Sequence, residues 1–295
     1  MGREHPNGFR NITLAIFAGL FFFIGPLLLP SLGSLAGAAI PTLYLEKQEE
    51  LVQRLTARGF SGEDLARIFS DDRVMVYPEI IGRSGKGIDY LGRRFGLLSK
   101  KSVREGKKTL QDHRSLLRRI ESSYGVEKEI LVAILRLETN FGRTKGTVPI
   151  FNSLLTLAVI ENRRSVWAEE ELAALLQMCR DRQRDPLEIR GSWAGAFGLP
   201  QFVPSSYIKY GVDGDGDGKV DLNNRSDALA SIANYLKAFG WSGKDPAHKK
   251  QSLYAYNHCD NYVRSILTYA RAIKPGSKPH KAKNNRPSHK RSKQA

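Results

Sequence analysis

Apolar residues recur at helical spacing along most of the chain, and the alternation with a period of two that is typical of strands is almost absent. This spacing predicts helices over Glu127–Leu137, about Val166–Arg182 and about Asn261–Arg271. A segment rich in Gly, Pro and Ser, residues 190–226, is predicted to be a loop. Ser226 is expected to be the N-cap of the helix that follows. The sequence therefore predicts a mainly α fold with little β structure.

The N-terminal segment differs, because Asn11–Leu45 carries no charged residue and Ile12–Leu29 is nearly all apolar. Arg3 and Arg10 precede this run, as in the basic region of a secretory signal. The run is also just long enough to span a bilayer. Residues 1–45 are therefore interpreted as a cleaved signal peptide or a retained membrane anchor, both of which export the chain, or as a buried core helix.

Charge is the unusual feature of the composition. The 295 residues include 46 Lys+Arg and 30 Asp+Glu, a net charge of +16. Eight of the basic residues and no acid lie in residues 274–295. Apart from its prolines, this segment has no apolar residue larger than Ala, so it is predicted to be a disordered tail. An excess of this kind indicates a polyanionic partner. Because the chain is expected to be exported, we expect an anionic wall or membrane surface and no nucleic acid.

One carboxylate, Glu138, extends an apolar helical stripe, since it lies four residues after Ile134 and seven after Leu131. Partial desolvation there would raise its pKa and make it a proton donor near neutral pH. On spacing alone, a solvated glutamate at a helix end is the more common case. The neighbouring motifs change that balance.

Three motifs follow one another along the chain. Leu137–Gly142 breaks the helix directly after the carboxylate, and the glycine-rich loop Gly191–Gly198 leads into Gln201–Tyr207. Tyr254–Asn257 then precedes the last helix. In this order the motifs resemble the lytic murein transglycosylases of the membrane-bound B type, over about residues 65–272. The resemblance implies a lysozyme-like helical catalytic core that acts on peptidoglycan glycan strands in the periplasm or cell envelope of a bacterium.

The resemblance also implies roles for individual residues. Glu138 is the single catalytic acid/base, Ser192 helps to orient its carboxylate, and Gln201 lines the sugar cleft. Further positions expected to bind substrate are Tyr235, Tyr256, Asn257, Arg163 and Arg164. The two arginines match positions that meet acidic stem peptides, with a solvated helix end as the alternative. Stacking of sugars on Phe197, Tyr235 and Tyr256 competes with a core role for these rings.

In the resembling family, the glutamic acid protonates the oxygen that bridges N-acetylmuramic acid (MurNAc) and N-acetylglucosamine (GlcNAc). Its carboxylate then deprotonates the muramoyl C6 hydroxyl, so that the product ends in a 1,6-anhydro sugar. The usual glycosidase needs two carboxylates, and the motifs supply one. The alternatives are a hydrolytic muramidase and a non-catalytic, calcium-stabilised cell-wall-binding protein.

A second chemical motif is EF-hand-like. Asp213, Asp215 and Asp217 occupy positions 1, 3 and 5 of such a loop, Gly follows at position 6, and Lys219 would offer its backbone carbonyl at position 7. Position 12 is Asn rather than the expected Glu. The resembling family closes a longer loop with an Asp, which here would be Asp227. We therefore expect structural Ca²⁺, with a solvated acidic turn as the alternative.

The predicted organisation has four parts: residues 1–45, a helical N-terminal part over 46–112, the lysozyme-like catalytic core over 113–273, and the tail. Two cysteines are too few for a disulfide-rich scaffold or a four-thiolate zinc site. Cys179 and Cys259 are interpreted as buried free thiols or, given export, as a disulfide.

Overall fold

The structure is a computed structural model that describes residues 42–83 and 88–277. Most of the predicted signal or anchor and most of the basic tail therefore lie outside the described residues. Among the helices in these two ranges, none combines the length and the apolar character needed to cross a membrane.

Eleven α-helices form most of the described chain. They are α1 (Thr42–Ala57), α2 (Gly62–Phe69), α3 (Lys100–Asp112), α4 (Arg114–Tyr124), α5 (Lys128–Thr139), α6 (Ile150–Val159), α7 (Ser165–Asp181), α8 (Pro204–Tyr210), α9 (Arg225–Ala238), α10 (Pro246–Tyr256) and α11 (Asp260–Ile273). Two-residue strands, β1 (Val148–Pro149) and β2 (Arg190–Gly191), pair antiparallel with Val148 opposite Gly191. The prediction of a mainly α fold with little β structure is confirmed.

Helix α5 lies at the centre of the fold. Every residue from Glu129 to Thr139 is buried, and the helix packs against α3, α4, α9 and α11. A helix that is mostly apolar on all sides has to be surrounded by other elements. Close approach of α3 and α11 beside it depends on Gly106, because a Cβ there would lie 2.5 Å from the Tyr269 hydroxyl oxygen. The end of α5 is thereby fixed deep in the protein.

The structure corrects two local predictions. The N-cap of α9 is Asn224, not Ser226: the Asn224 side chain accepts a hydrogen bond from the Ser226 backbone N–H at 2.8 Å, and the helix begins at Arg225. The predicted loop 190–226 contains α8, which begins at Pro204, where a fixed φ suits the first helical position. Both cysteines are free thiols; Cys179 is buried, as in the first interpretation, whereas Cys259 is only half-buried.

Candidate active site

Glu138 lies in the last turn of α5 and is only 2 % exposed. The helix stops directly after it, because Asn140 and Phe141 adopt left-handed φ values of 49° and 60°. Asn tolerates this region, whereas an aromatic residue is rarely found there. Backbone strain at a functional position is typical of active sites. The turn thus ends the helix while keeping the carboxyl group inside the protein.

The two oxygens of Glu138 differ in their surroundings. Oε1 accepts a hydrogen bond of 2.6 Å from the Tyr262 hydroxyl, and Oε2 is buried with no hydrogen-bond partner among the described residues. Burial raises the pKa of Glu138 well above its usual range, and the Tyr262 hydrogen bond opposes this only in part. Within the described ranges, no other carboxylate contributes to this pKa shift. Burial therefore favours the protonated form of this carboxyl group, which is the form that a general acid needs.

Three tyrosines surround this carboxyl group; we call Tyr90, Tyr256 and Tyr262 the tyrosine group. Burial raises the pKa of each, and an ionised Glu138 raises it further. The rings of Tyr256 and Tyr262 are parallel with centroids 6.4 Å apart, and Tyr90 meets Tyr262 edge-on at 6.0 Å. Sequence reasoning missed Tyr90 and Tyr262. Tyr262 lies on the predicted last helix, but nothing in its spacing distinguishes it from a core residue.

Ser192 lies in the glycine-rich loop, and its hydroxyl is engaged there. The Oγ atom accepts hydrogen bonds from the backbone N–H groups of Ala194 and Ala196, at 3.3 and 3.1 Å. A Cβ at the preceding Gly191 would lie 2.1 Å from the Ala196 carbonyl oxygen, so the tight loop requires glycine. The hydroxyl therefore holds the loop in shape and does not bond to Glu138 in this structure.

The side-chain amides of Gln201 and Asn257 differ in their hydrogen bonding. Gln201 has a left-handed φ of 49°, and its side-chain amide donates to the backbone oxygens of Gly198, at 2.9 Å, and Lys145, at 3.2 Å. Asn257 is 3 % exposed, and its Nδ2 is buried without a hydrogen-bond partner among the described residues. Buried polar side-chain atoms in folded proteins usually have a partner, so this amide donor is available to a ligand or a water molecule.

The predicted stacking rings are packed inside the protein. Phe197, Tyr235 and Tyr256 are 7 %, 6 % and 4 % exposed. Tyr235 stacks on Phe239 with centroids 4.6 Å apart, and its hydroxyl donates to the Ala255 carbonyl at 2.8 Å. The structure therefore shows a packing role for these rings, and contact with sugars stays a prediction.

The predicted arginine pair lies beside the glycine-rich loop. Arg163 is exposed, while Arg164 is half-buried with its guanidinium 5.6 Å from the centre of the Trp193 ring. Arg83 approaches the same ring at 5.9 Å. Burial, and then the charge of Arg163, lower the pKa of Arg164. Two guanidinium groups, from two distant parts of the chain, thus approach one ring of this loop.

The acidic loop, Asp213–Asp221, brings three carboxylates together. Asp213, Asp215 and Asp227 each offer one oxygen, and these atoms lie within 4.8 Å of one another. Asp227 is 1 % exposed, and burial and the charges of the other two raise its pKa. A hard cation with oxygen ligands would relieve this repulsion, so the donor set fits Ca²⁺. Asp217 lies outside the group of three, and Lys219 is exposed.

Asp227 is also tied to the loop backbone. Its two oxygens accept hydrogen bonds from the N–H groups of Gly214, at 2.9 Å, and Asp221, at 2.7 Å. The first-turn position in α9 alone would favour an acid. The two bonds show in addition that Asp227 fixes both ends of the acidic loop.

Comparisons with known proteins identify the family of this chain. The family model for the transglycosylase SLT domain matches residues 45–253. Membrane-bound lytic murein transglycosylase B of Escherichia coli (strain K12) is 41 % identical over 158 residues, which cover 54 % of this chain and 44 % of that protein. The match thus spans less than half the length of this relative.

Solved structures match over more of the chain. The Escherichia coli lytic transglycosylase Slt35 in complex with calcium is 26 % identical, with a TM-score of 0.69 over 77 % of this chain and 92 % of that one. SltB3 from Pseudomonas aeruginosa in complex with NAG-anhNAM-pentapeptide is 25 % identical, with a TM-score of 0.72 over 82 % of each chain. With a family model that covers most of its length, the chain belongs to the transglycosylase SLT-domain family.

Proposed function

We propose that the protein is a lytic transglycosylase that cleaves the MurNAc–GlcNAc β-1,4 bond of peptidoglycan and leaves a 1,6-anhydromuramic end. The observation that carries this proposal is Glu138: a buried carboxyl group with one free oxygen and no second carboxylate affecting its pKa. Two of the relatives, transglycosylase B and Slt35 of Escherichia coli, are named lytic transglycosylases, which supports the same reaction class.

One carboxyl group suffices for both proton transfers. Protonated Glu138 donates its proton to the bridging oxygen as the bond from that oxygen to C1 of the muramic acid breaks. The resulting carboxylate accepts the proton of the C6 hydroxyl, whose oxygen forms the new bond to C1. The proton returns to Glu138, and no water is consumed. The Tyr262 hydrogen bond stabilises the carboxylate between the two steps.

The remaining predicted residues are proposed to bind the substrate. Ser192 shapes the glycine-rich loop, and Gln201 and Asn257 offer amide groups for sugar hydroxyls or acetamido groups. Tyr235 and Tyr256 are proposed to form an apolar wall. Arg163 and Arg164 supply positive charge for acidic stem peptides. The complex of SltB3 with NAG-anhNAM-pentapeptide supports a peptidoglycan fragment as the ligand.

Mass spectrometry of the products released from purified sacculi tests the proposal. We expect muropeptides that end in 1,6-anhydromuramic acid. Reducing muramic ends, heavier by one water, would instead identify a hydrolytic muramidase. Intact sacculi that retain the bound protein would identify a non-catalytic wall-binding protein. Either of these two results contradicts the proposed reaction.

We also propose that the acidic loop binds Ca²⁺ in a structural role, through Asp213, Asp215, Asp217, Asp227 and the Lys219 carbonyl. The convergence of three carboxylates and the buried, charge-repelled Asp227 support the site. The calcium complex of Slt35 supports the choice of ion. Calcium would stabilise the loop between α8 and α9 and takes no part in the proton transfers.

The protein is further proposed to be exported to the periplasm or cell envelope, with its basic tail on an anionic wall or membrane surface. The relative named as membrane-bound supports a location in the envelope. Deleting residues 274–295, which removes eight positive charges, is expected to weaken co-sedimentation with sacculi or anionic vesicles, most strongly at low salt. Unchanged co-sedimentation would contradict the proposed tether.

A further inference from the structure

A cavity of about 230 Å³ lies between the end of α7, β2, the glycine-rich loop and the chain that leaves the acidic loop. Glu138 and the tyrosine group are not among its lining residues. We call it the basic cavity, because cationic side chains line it above an apolar floor: Lys145, Arg182, Arg184 and Arg190, with Phe197 and Leu222.

The cationic side chains of the basic cavity outnumber the acids, since only Glu188 and Asp221 oppose the four positive charges. Among the described residues, none of the four cations forms an ion pair. Many other arginines of the described surface do, for example Arg54 with Glu169 and Arg143 with Glu105. The cavity therefore keeps a net positive charge.

Neutral groups hold three of the four cations in place. The Arg190 guanidinium donates to the Thr147 carbonyl at 2.8 Å, and the Lys145 ammonium donates to the Asn223 side-chain oxygen at 2.9 Å. Arg182 lies 4.9 Å from the centre of the Tyr207 ring. Such contacts fix the positions of the side chains without neutralising them. Their remaining N–H donors stay available for an anion.

The nearest carboxylate in the sequence is used elsewhere. Asp185 follows Arg184 directly, yet one of its oxygens pairs with Arg73 at 2.8 Å and the other accepts the Leu187 backbone N–H at 2.9 Å. Asp185 is therefore not available to pair with Arg184.

The floor and the cations differ in their exposure. Phe197 and Leu222 are buried, whereas Arg182, Arg184 and Arg190 are exposed, so water and salt screen part of the field of these charges. Tyr207 lines the same cavity; although burial raises its pKa to about 12, the charges of Arg182 and Arg184 act in the opposite direction. Both guanidinium groups therefore place positive potential inside the cavity.

The basic cavity adjoins segments that carry other proposed functional residues. The backbone oxygen of Lys145 accepts a hydrogen bond from the Gln201 side chain at 3.2 Å, and Phe197 belongs to the glycine-rich loop. An anion in the cavity would be bound next to these two segments but separately from Glu138.

We propose that the basic cavity binds a carboxylate or phosphate group. Guanidinium groups offer paired N–H donors that match the geometry of both oxyanions. Binding does not require cleavage of the glycan, so the site is independent of the proposed reaction.

Isothermal titration of the full-length protein tests the site with two probes: inorganic phosphate, and an acetylated alanine dipeptide with a free carboxylate, compared with its C-terminal amide. The double variant Arg182→Gln/Arg184→Gln is expected to bind about 10-fold more weakly, or worse, than the wild type. Arg104→Gln/Arg118→Gln is the matched control, because both arginines are exposed, lie outside the cavity and form no ion pair among the described residues. The control is expected to bind like the wild type.

Each outcome has one meaning. Saturable binding of phosphate assigns a phosphate-bearing ligand, and binding of the free dipeptide but not its amide assigns a carboxylate. If neither probe binds saturably, or if both double variants weaken binding equally, the proposal is overturned. Unfolding temperatures show whether each variant is folded. A Glu138→Gln protein should retain the binding, so loss of cleavage and loss of anion binding are separable.

Discussion

Replacing Glu138 with Gln is expected to lower the rate of glycan cleavage by about 10²- to 10⁴-fold, the range for loss of a general acid or base. The upper end applies here, because the same group is proposed to donate the first proton and accept the second. Gln keeps the size of the side chain and an oxygen that can accept the Tyr262 hydrogen bond, but it carries no proton to give. The release of anhydromuropeptides from purified sacculi measures the loss.

A second buried carboxyl group supplies a matched control. Glu171 is 3 % exposed, burial raises its pKa, and it accepts hydrogen bonds from the backbone and the hydroxyl of Ser205. Glu171→Gln removes a buried acid without touching the tyrosine group, and we expect cleavage to continue at close to the wild-type rate. Equal losses of cleavage rate in the two variants would show that the effect at Glu138 comes from replacing a buried acid and not from loss of a catalytic group.

The pH dependence of stability provides the folding control for Glu138→Gln. The pKa of Glu138 is raised in the folded state, so the carboxyl is neutral in both states below its ordinary value of 4.5. As pH rises, the unfolded chain releases the proton first, and the folded wild type loses up to about 1.4 kcal/mol of stability per pH unit. The Gln variant has no such loss. It should therefore melt higher than the wild type at pH 7 and similarly at pH 4; a lower melting temperature at pH 7 would contradict a neutral, buried Glu138.

The sequence predicts where Glu138 lies better than it predicts what surrounds it. An apolar stripe and a helix-breaking motif depend on neighbouring residues, so the position of the carboxylate at the end of α5 could be inferred. Tyr90 comes from an irregular segment far away in the chain, and only tertiary packing brings it to Tyr262. The exposed fraction of Glu138 follows from that packing as well, so the sequence indicated the direction of its pKa shift but not its strength.

For the helices, too, some features follow from neighbouring residues and others only from tertiary packing. Nearly all of α6, Ile150–Val159, is buried, so the segment lacks the contrast between apolar and polar faces that reveals a helix. At the start of α9, both Asn224 and Ser226 are good N-cap residues, and only the hydrogen bond from Ser226 N–H to Asn224 identifies the cap. Local chemistry limited the choice to two positions, and the conformation of the acidic loop selected one.

Calcium is expected to raise the melting temperature of the wild type, and Asp213→Asn/Asp215→Asn is expected to abolish this shift. At a free calcium concentration of about 100 times the dissociation constant, binding would add about 2.7 kcal/mol to the free energy of unfolding. The two substitutions keep the size of the side chains but remove two of the three converging charges. Asp227 is left unchanged, because its oxygens also bind backbone N–H groups and its loss would destabilise the loop even without the ion. Scanning calorimetry with calcium, and with a chelator, measures the effect.

The calcium-free proteins make the test specific. In chelator, the charges of Asp213 and Asp215 raise the pKa of buried Asp227, whereas the backbone N–H group of Gly218 lowers the pKa of Asp213, so the two effects on stability oppose each other. The melting temperature of each protein in chelator is therefore the baseline for its own calcium shift. Glu49→Gln/Asp72→Asn makes the same change of charge at two exposed positions outside the acidic loop and should keep the full calcium shift. A calcium shift that survives in Asp213→Asn/Asp215→Asn would place the ion elsewhere. Loss of the shift in this variant, together with the full shift in the control, would assign the bound ion to these carboxylates.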